Sequence, residues 1–332
     1  MNVILTGVAG FIGFHLAERL MGEKKIKNII AIDNLNEYYD VQLKKNRIKK
    51  LRQNKNSHKL HLSKIDINDY KKLLSLTKKF NVKIIYHLAA QAGIRYSFIN
   101  PKSYIDSNIN GFFNIIELAR HLKIEKLIYA SSSSAYGNNK KAPYTEESLT
   151  NEPLQLYAAT KISNEVMAFA YSHLYKFHSI GLRFFTVYGP YGRPDMAIYK
   201  FVDSIFKNRK INLYDKGLMQ RDFTYIDDII EAILKLSKKN KIQSKSKENN
   251  FHSIYNLGRG KPIKINELIK KIEKLIGKKA KIFHQKSNNA EMKKTHSSMK
   301  KFKKDFNFSP EIRIEEGLKL FIKWYISYYK IK

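Results

Sequence analysis

The stretch NVILTGVAGFIGFHLAERLM, residues 2–21, decides the fold. NVILT is a short apolar run, as expected of a strand inside a parallel sheet. FIGFHLAERLM, residues 11–21, has helical spacing. Gly7, Gly10 and Gly13 fall at the turn between them. Glycines occur in many turns, but a triplet that follows a strand and opens a helix is the context of a dinucleotide fingerprint. They allow a tight turn and close approach of a pyrophosphate. Phe11, Ile12 and Gly13 begin the helix, whose free N–H groups and positive dipole end face the phosphates.

Asp33 closes a second apolar run, IKNIIAID, and lies 20 residues after Gly13. A carboxylate there accepts hydrogen bonds from both adenosine ribose hydroxyls and repels a 2′-phosphate, which favours NAD over NADP. The alternative is a strand-end Asp that caps a turn. Asn34 adjoins it. Asp66, with Ile67, ends the run KLHLSKID and is expected near the adenine amino group. Leu88, Ala89 and Ala90 end KIIYHLAA with small side chains over which a ribose or phosphate could pass.

EKLIYASS and SIGLRFF continue the series of strands. Helical segments near 40–53, 69–80, 101–122 and 155–176 separate them. Strands alternating with helices imply an α/β fold, a Rossmann-type doubly wound parallel sheet. After about residue 185 the pattern changes. PDMAIYKFVDSIFKN, INELIKKIEKLIG and IEEGLKLFIKWYISYY have helical spacing, and short strands are expected near 211–214 and 253–257. KKNKIQSKSKENNFHS reads as a polar, mobile connection. The expected division is 1–184 plus about 223–256 for a cofactor domain. A smaller mixed α/β C-terminal substrate lobe takes about 185–222 plus 257–332 and covers the sheet's carboxyl edge.

The chain has 332 residues, 43% of them hydrophobic, and no cysteine. It can bury a sizeable core. Thiolate and disulfide chemistry are excluded, and no metal is expected. No apolar run reaches the ~18 residues of a membrane span, and the N-terminus does not read as a signal peptide, so a cytoplasmic protein is expected. The net charge is +33, from 62 Lys and Arg against 29 Asp and Glu. The lysines are scattered over helix surfaces and loops without a nucleic-acid signature, so no nucleic-acid partner is expected. The field should still attract anionic small molecules.

LYAATK, residues 156–161, places Tyr157 four residues before Lys161. On a helix these share a face about a turn apart. Two surface polar residues would show the same spacing. Here the helix follows ASSSSAYG, so Ser131–Ser134, Tyr157 and Lys161 come to the sheet's carboxyl edge, where ligands bind in such folds. A phenol titrates near ~10. The Lys161 ammonium is expected to favour the phenolate, so Tyr157 could act as a base near neutral pH. Lys161 can also hold the nicotinamide ribose.

TGVAGFIG, ASSSSAYG and YAATK resemble the extended short-chain dehydrogenase/reductases. IDNLNEYYDVQLKKNR, HLAAQAGIRYSFINPKSYIDSNINGFFNIIE, LRFFTVYGPYGRPDMA and MQRDFTYIDDI resemble the UDP-glucuronate 4-epimerases within the NAD-dependent epimerase/dehydratases. The similarity spans nearly all of 1–276 and the ending IEEGLKLFIKWYISYY. It implies NAD as cofactor and reversible exchange of UDP-glucuronate and UDP-galacturonate through a 4-keto sugar. By resemblance, Tyr157 takes the proton from the hydroxyl on sugar carbon 4. Ser132 is the catalytic hydroxyl, with Ser134 a rival. Ser133 and Thr186 lie near the sugar carboxylate, and Asn108 on the cofactor side. Arg95, Arg193 and Arg221 each sit in a loop at the expected cleft and suit an anionic UDP-sugar. The resemblance gives Arg221 the diphosphate and Arg193 the nucleotide portion. It also implies a homodimer paired through helices 101–122 and 155–176, although the same apolar residues could face the sheet.

One segment departs from the family. AEMKKTHSS, on the expected uridine side, has Ala290 and Glu291 where Gly-Asp is usual and Ser298 where a later Asp is usual. UDP-glucose/galactose and UDP-N-acetylhexosamine 4-epimerases are therefore kept as alternatives. UDP-sugar dehydratases need an acid–base pair, typically Asp-Glu, where this chain has Ser133 and Ser134. The decarboxylases usually carry a Glu there. A non-enzymatic dinucleotide sensor would be free to lose Tyr157 or Lys161, and both are present. Polysaccharide biosynthesis is what the substrate implies.

Overall fold

The computed structural model describes residues 1–239, 251–285 and 292–331. Ala290 and Glu291, and most of the polar connection at 238–253, lie outside the described residues. The strands are β1 Asn2–Thr6, β2 Asn28–Asp33, β3 Leu60–Lys64, β4 Val82–His87, β5 Lys126–Ser132, β6 His178–Phe184, β7 Thr186–Tyr188, β8 Lys210–Tyr214, β9 Gln220–Arg221, β10 Phe223–Tyr225, β11 His252–Leu257, β12 Ile263–Lys264 and β13 Lys281–Gln285. The helices are α1 Phe11–Gly22, α2 Val41–Arg52, α3 Tyr70–Thr77, α4 Pro101–Tyr104, α5 Gly111–His121, α6 Leu156–Tyr175, α7 Ala197–Phe206, α8 Ile226–Lys238, α9 Ile265–Ile276, α10 Lys300–Phe306 and α11 Ile314–Tyr329.

Seven strands form one sheet in the order β11-β6-β5-β4-β1-β2-β3. All pair in parallel. The chain starts mid-sheet, winds outward through β2 and β3, then returns to β4 and proceeds the other way. The reversal between β1 and β4 opens a crevice at the carboxyl ends. Both sheet faces are covered. Val3 and Leu5 of β1 enter one core with Phe14, Leu16 and Leu20 of α1 and Ile230 of α8. Ile4 enters the other with Phe112, Ile115 and Ile116 of α5. Successive side chains point to opposite faces, so a strand covered on both must be apolar throughout.

After β6 the strands are shorter. β7 pairs with β10, β9 with β12 and β8 with β13. Helix α11 packs on α7, with Tyr325 donating to Asp203 at 2.6 Å. Helices α8 and α10 and strands β7, β9, β10, β12 and β13 add to the elements expected from sequence. Two- and three-residue strands carry no readable period, because their pairing is decided by the partner segment. The helix expected over 101–122 is interrupted. Residues 105–110 form a wider π-helical stretch between α4 and α5. No described helix is long and apolar enough to cross a membrane.

Candidate active site

A cleft of about 790 Å³ opens at the carboxyl ends of β1, β2, β4 and β5. Gly7, Gly10, Phe11, Ile12, Gly13, Asp33, Asn34, Ile67, Leu88, Ala89 and Ala90 line its cofactor end. Ser132, Ser133, Ser134, Tyr157, Lys161, Thr186, Arg95, Arg193 and Arg221 also line it. Asp66 and Asn108 are not among the lining residues.

The glycine turn is tight in a measurable way. Gly7 has φ +74°, and a Cβ there would meet the Ala89 nitrogen at 2.7 Å. A Cβ on Gly13 would lie 2.0 Å from the Gly7 carbonyl oxygen. The turn is held against the β4 loop. Leu88 N–H donates to Thr6 O at 3.2 Å, and Ala89 N–H to Thr6 Oγ1 at 3.2 Å. The first-turn N–H groups of α1 therefore open onto the cleft. Asp33 Oδ2 accepts from Ala9 N–H at 2.9 Å and Oδ1 from Leu35 N–H at 2.8 Å. Burial raises the Asp33 pKa, and those backbone donors and Lys44 oppose the rise. This cradle, with a carboxylate at its far end, fits a dinucleotide.

Asp66 lies two residues beyond β3 and serves the turn. Its Oδ2 accepts from Asn34 Nδ2 at 2.8 Å, and its Oδ1 from Asn68 N–H at 2.9 Å. Asn108 is likewise engaged by protein groups. It is 1% exposed. Its Oδ1 accepts from Gln91 N–H at 2.8 Å, and its Nδ2 donates to Gln91 O at 3.0 Å and Thr160 Oγ1 at 3.1 Å. It cross-links the π-helical stretch, the β4 loop and α6. Its side chain is turned inward because those three backbones need it there.

At the other end, β5 delivers the serines and α6 the tyrosine. Ser132 Oγ accepts from Ser134 N–H at 3.1 Å and is hydrogen-bonded to Tyr157. Lys161 Nζ donates to Ala130 O at 2.9 Å. Burial raises the Tyr157 pKa, opposed by the Ser132 hydrogen bond and the Arg193 charge. Burial lowers Lys161 to about 8, opposed by Glu165. Ser132 and Arg193 are thus the groups of the chain set against burial at the phenol, and the Lys161 ammonium is held by the β5 carbonyl.

Arg193 is held by Asp195, with Nε 2.9 Å from Oδ1. Asp195 Oδ2 also accepts from the Tyr38 hydroxyl at 2.9 Å. Arg193, Asp195 and Tyr38 thus form one cluster in the cleft. The Arg95 guanidinium stacks 4.6 Å from the Tyr214 ring centroid, across the cleft. Arg221 donates to Gln220 O at 3.0 Å.

Tyr38, Lys44, Asp195, Lys200, Lys210 and Tyr214 line the same cleft and were not singled out from sequence. Tyr38 and Lys44 fall in NEYYDVQLKKNR, whose length and mixed polarity mark it without saying which side chains turn inward.

The sequence profile described as GDP-mannose 4,6 dehydratase matches residues 4–321. The probable UDP-glucuronate 4-epimerase of Rhizobium meliloti is 39% identical, over 99% of this chain and 98% of the relative. The UDP-glucuronate 4-epimerase of Thermodesulfobacterium geofontis is 41% identical, over 97% of this chain and 95% of the relative. The crystal structure of UDP-glucuronic acid 4-epimerase from Bacillus cereus, in complex with UDP-glucuronic acid and NAD, matches with a TM-score of 0.88. It is 30% identical and covers 99% of this chain and 100% of that one.

Proposed function

Because the chain belongs to the NAD-dependent epimerase/dehydratase family, the one described as GDP-mannose 4,6 dehydratase, we propose that it interconverts UDP-glucuronate and UDP-galacturonate. The observation that carries this reading is one cleft that joins the glycine turn to the Ser132–Tyr157 pair and to three arginines. The glycine turn and Asp33 would hold NAD, which when bound would supply the hydride acceptor and donor for carbon 4 of the sugar. Tyr157 takes the carbon-4 hydroxyl proton and gives it back. Ser132, which already pairs with Tyr157, shares that proton, and Ser134 holds Ser132 in place through its N–H.

Thr186 and Ser133 face the sugar carboxylate. The 4-keto sugar is a β-keto acid, so a good proton donor near its carboxylate would promote loss of carbon dioxide. Hydroxyls hold the carboxylate without supplying that proton. The same serines, standing where a dehydratase needs an acid–base pair, argue against dehydration. Arg221 and Arg95 serve the diphosphate, and Arg193 the sugar end. Asp33 and the cradle retain NAD between cycles. Residues 1–184 and 223–256 form the NAD-binding part, and 185–222 with 257–332 the UDP-sugar lobe.

The protein works as a homodimer. Phe113 of α5 and Val166, Phe169 and Leu174 of α6 are 47%, 64%, 45% and 64% exposed, while Ile115 and Ala168, opposite Phe113 and Val166, are buried. Apolar residues facing outward on two adjacent helices suit a partner copy. A cytoplasmic place in polysaccharide biosynthesis follows from the activated sugar, the donor that glycosyl transfer consumes.

The test is incubation of the NAD-loaded protein with UDP-glucuronate and chromatographic separation of the products. UDP-galacturonate at a fixed equilibrium ratio is expected. Its absence, with UDP-glucose or UDP-N-acetylglucosamine epimerised instead, would move the assignment to a neutral sugar.

A further inference from the structure

Ser131 is the one serine of the 131–134 cluster left without a part in the chemistry. Its Oγ donates at 2.6 Å to Glu165 Oε1, on the helix turn that follows Lys161. Arg183 of β6 completes the cluster. Its Nε lies 2.9 Å from Glu165 Oε1, and its Nη2 lies 2.7 Å from Oε2. The Glu165 and Arg183 side chains are 9% and 5% exposed. The neighbouring Ala130 carbonyl takes the Lys161 ammonium at 2.9 Å. Adjacent residues of β5 thus hold adjacent turns of α6.

We infer that Glu165 is a positioning residue for the catalytic pair, its buried carboxylate keeping the Lys161 ammonium charged and registering α6 so that Tyr157 meets Ser132. This rests on the epimerase reading. Glu165 touches neither sugar nor cofactor and acts through Lys161. A carboxylate one turn away on the same buried face offsets the cost of desolvating an ammonium. Arg183 holds that carboxylate in place through two hydrogen bonds.

The surrounding groups leave the effect readable. His87 of β4 is pushed down to about 3 by burial and by Lys161, and His252 of β11 to about 4 by burial. Tyr129 of β5 is pushed well above its ordinary value by burial and by Glu165. All three stay neutral between pH 6 and pH 9. Lys301 of α10 lies beyond His252 and donates to Ile254 O at 2.7 Å. Lys161 and Tyr157 are then the groups whose titration a change at Glu165 moves.

The experiment uses the NAD-loaded full chain as wild type, Glu165→Gln and the double variant Glu165→Gln/Arg183→Met. The double variant removes both charges, a replacement that buried pairs tolerate when one partner alone cannot be lost. Two readouts are taken against pH. One is kcat and KM with UDP-glucuronate. The other is the 295 nm phenolate absorbance after subtraction of the Tyr157→Phe spectrum. Both variants should lose the alkaline side of the kcat profile about one pH unit earlier, or about tenfold in kcat at pH 8.5, with KM within about threefold. With α6 out of register Tyr157 loses the Ser132 hydrogen bond that opposes burial, so its phenolate should appear at higher pH. A profile and phenolate titration that stay in place while only the melting temperature falls would make Glu165 merely structural and overturn the inference. If wild type makes no UDP-galacturonate the epimerase reading fails, and the absorbance titration still decides the role of Glu165.

Discussion

Burial favours the neutral phenol of Tyr157, and the groups set against that are the Ser132 hydroxyl and Arg193, which lies beyond β7. The tyrosine therefore reaches its working state only in the assembled cleft. Tyr157→Phe keeps the ring and removes the acid–base oxygen. It should lower kcat by about 10³-fold while NAD still co-purifies, since the glycine turn and Asp33 are untouched. Product formation and cofactor absorbance together measure this, and retained turnover would remove the phenol from the mechanism. That Tyr157, Lys161 and the three glycines come to one cleft was legible at this scale, because local spacing along a helix and a turn places them. The hydrogen-bond partners of Asp66 and Asn108 were not. Each is a polar residue at a plausible distance from the cofactor, and only the neighbouring backbone decides where its oxygens point.

Between elements, one carboxylate ties together the segments around residues 222, 259–260 and 297. Asp222 is 0% exposed. It accepts from Arg259 N–H at 3.0 Å, Gly260 N–H at 2.9 Å, Ser297 N–H at 2.9 Å and Ser297 Oγ at 2.6 Å. It adjoins Arg221 and fixes the segment holding Thr295, both lining the cleft. Asp222→Asn replaces one acceptor oxygen with a donor facing N–H groups. The expected cost is about 3 kcal/mol, read as a lower urea midpoint, with a raised KM for the UDP-sugar. An unchanged midpoint would show that this carboxylate does not carry the junction. Strands β1, β2 and β4 were legible as elements because each is covered on both faces and is largely apolar. Strands β9 and β12 pair through two residues each, Gln220 and Arg221 against Ile263 and Lys264, a match that no local pattern announces.

At the scale of the molecule, the outward apolar face of α5 and α6 predicts assembly. Val166→Glu places a charge at its centre and should turn a dimer into a monomer in sedimentation, and a dimer that survives would exclude that face. Acid stability follows from buried histidines. Burial lowers His15 to about 4, His87 to about 3 and His252 to about 4. In the unfolded chain they take protons near ~6.5, so below that pH the unfolded state binds more protons and stability falls with pH. The urea midpoint should hold above pH 6.5 and decline steadily toward pH 4.5. A level midpoint across that window would contradict the burial of the three rings.

The sequence by itself determined the parallel sheet, the cofactor turn and the Tyr157–Lys161 pair. Each rests on short-range physics, in which apolar period, glycine geometry and helical spacing act within a few residues. The tertiary structure alone decided the meeting of Tyr38 with Asp195, the inward turn of Asn108, and the meeting of Ser131, Glu165 and Arg183. Those depend on which strands lie side by side, and a side chain's partners and charge state follow from neighbours far away in the chain.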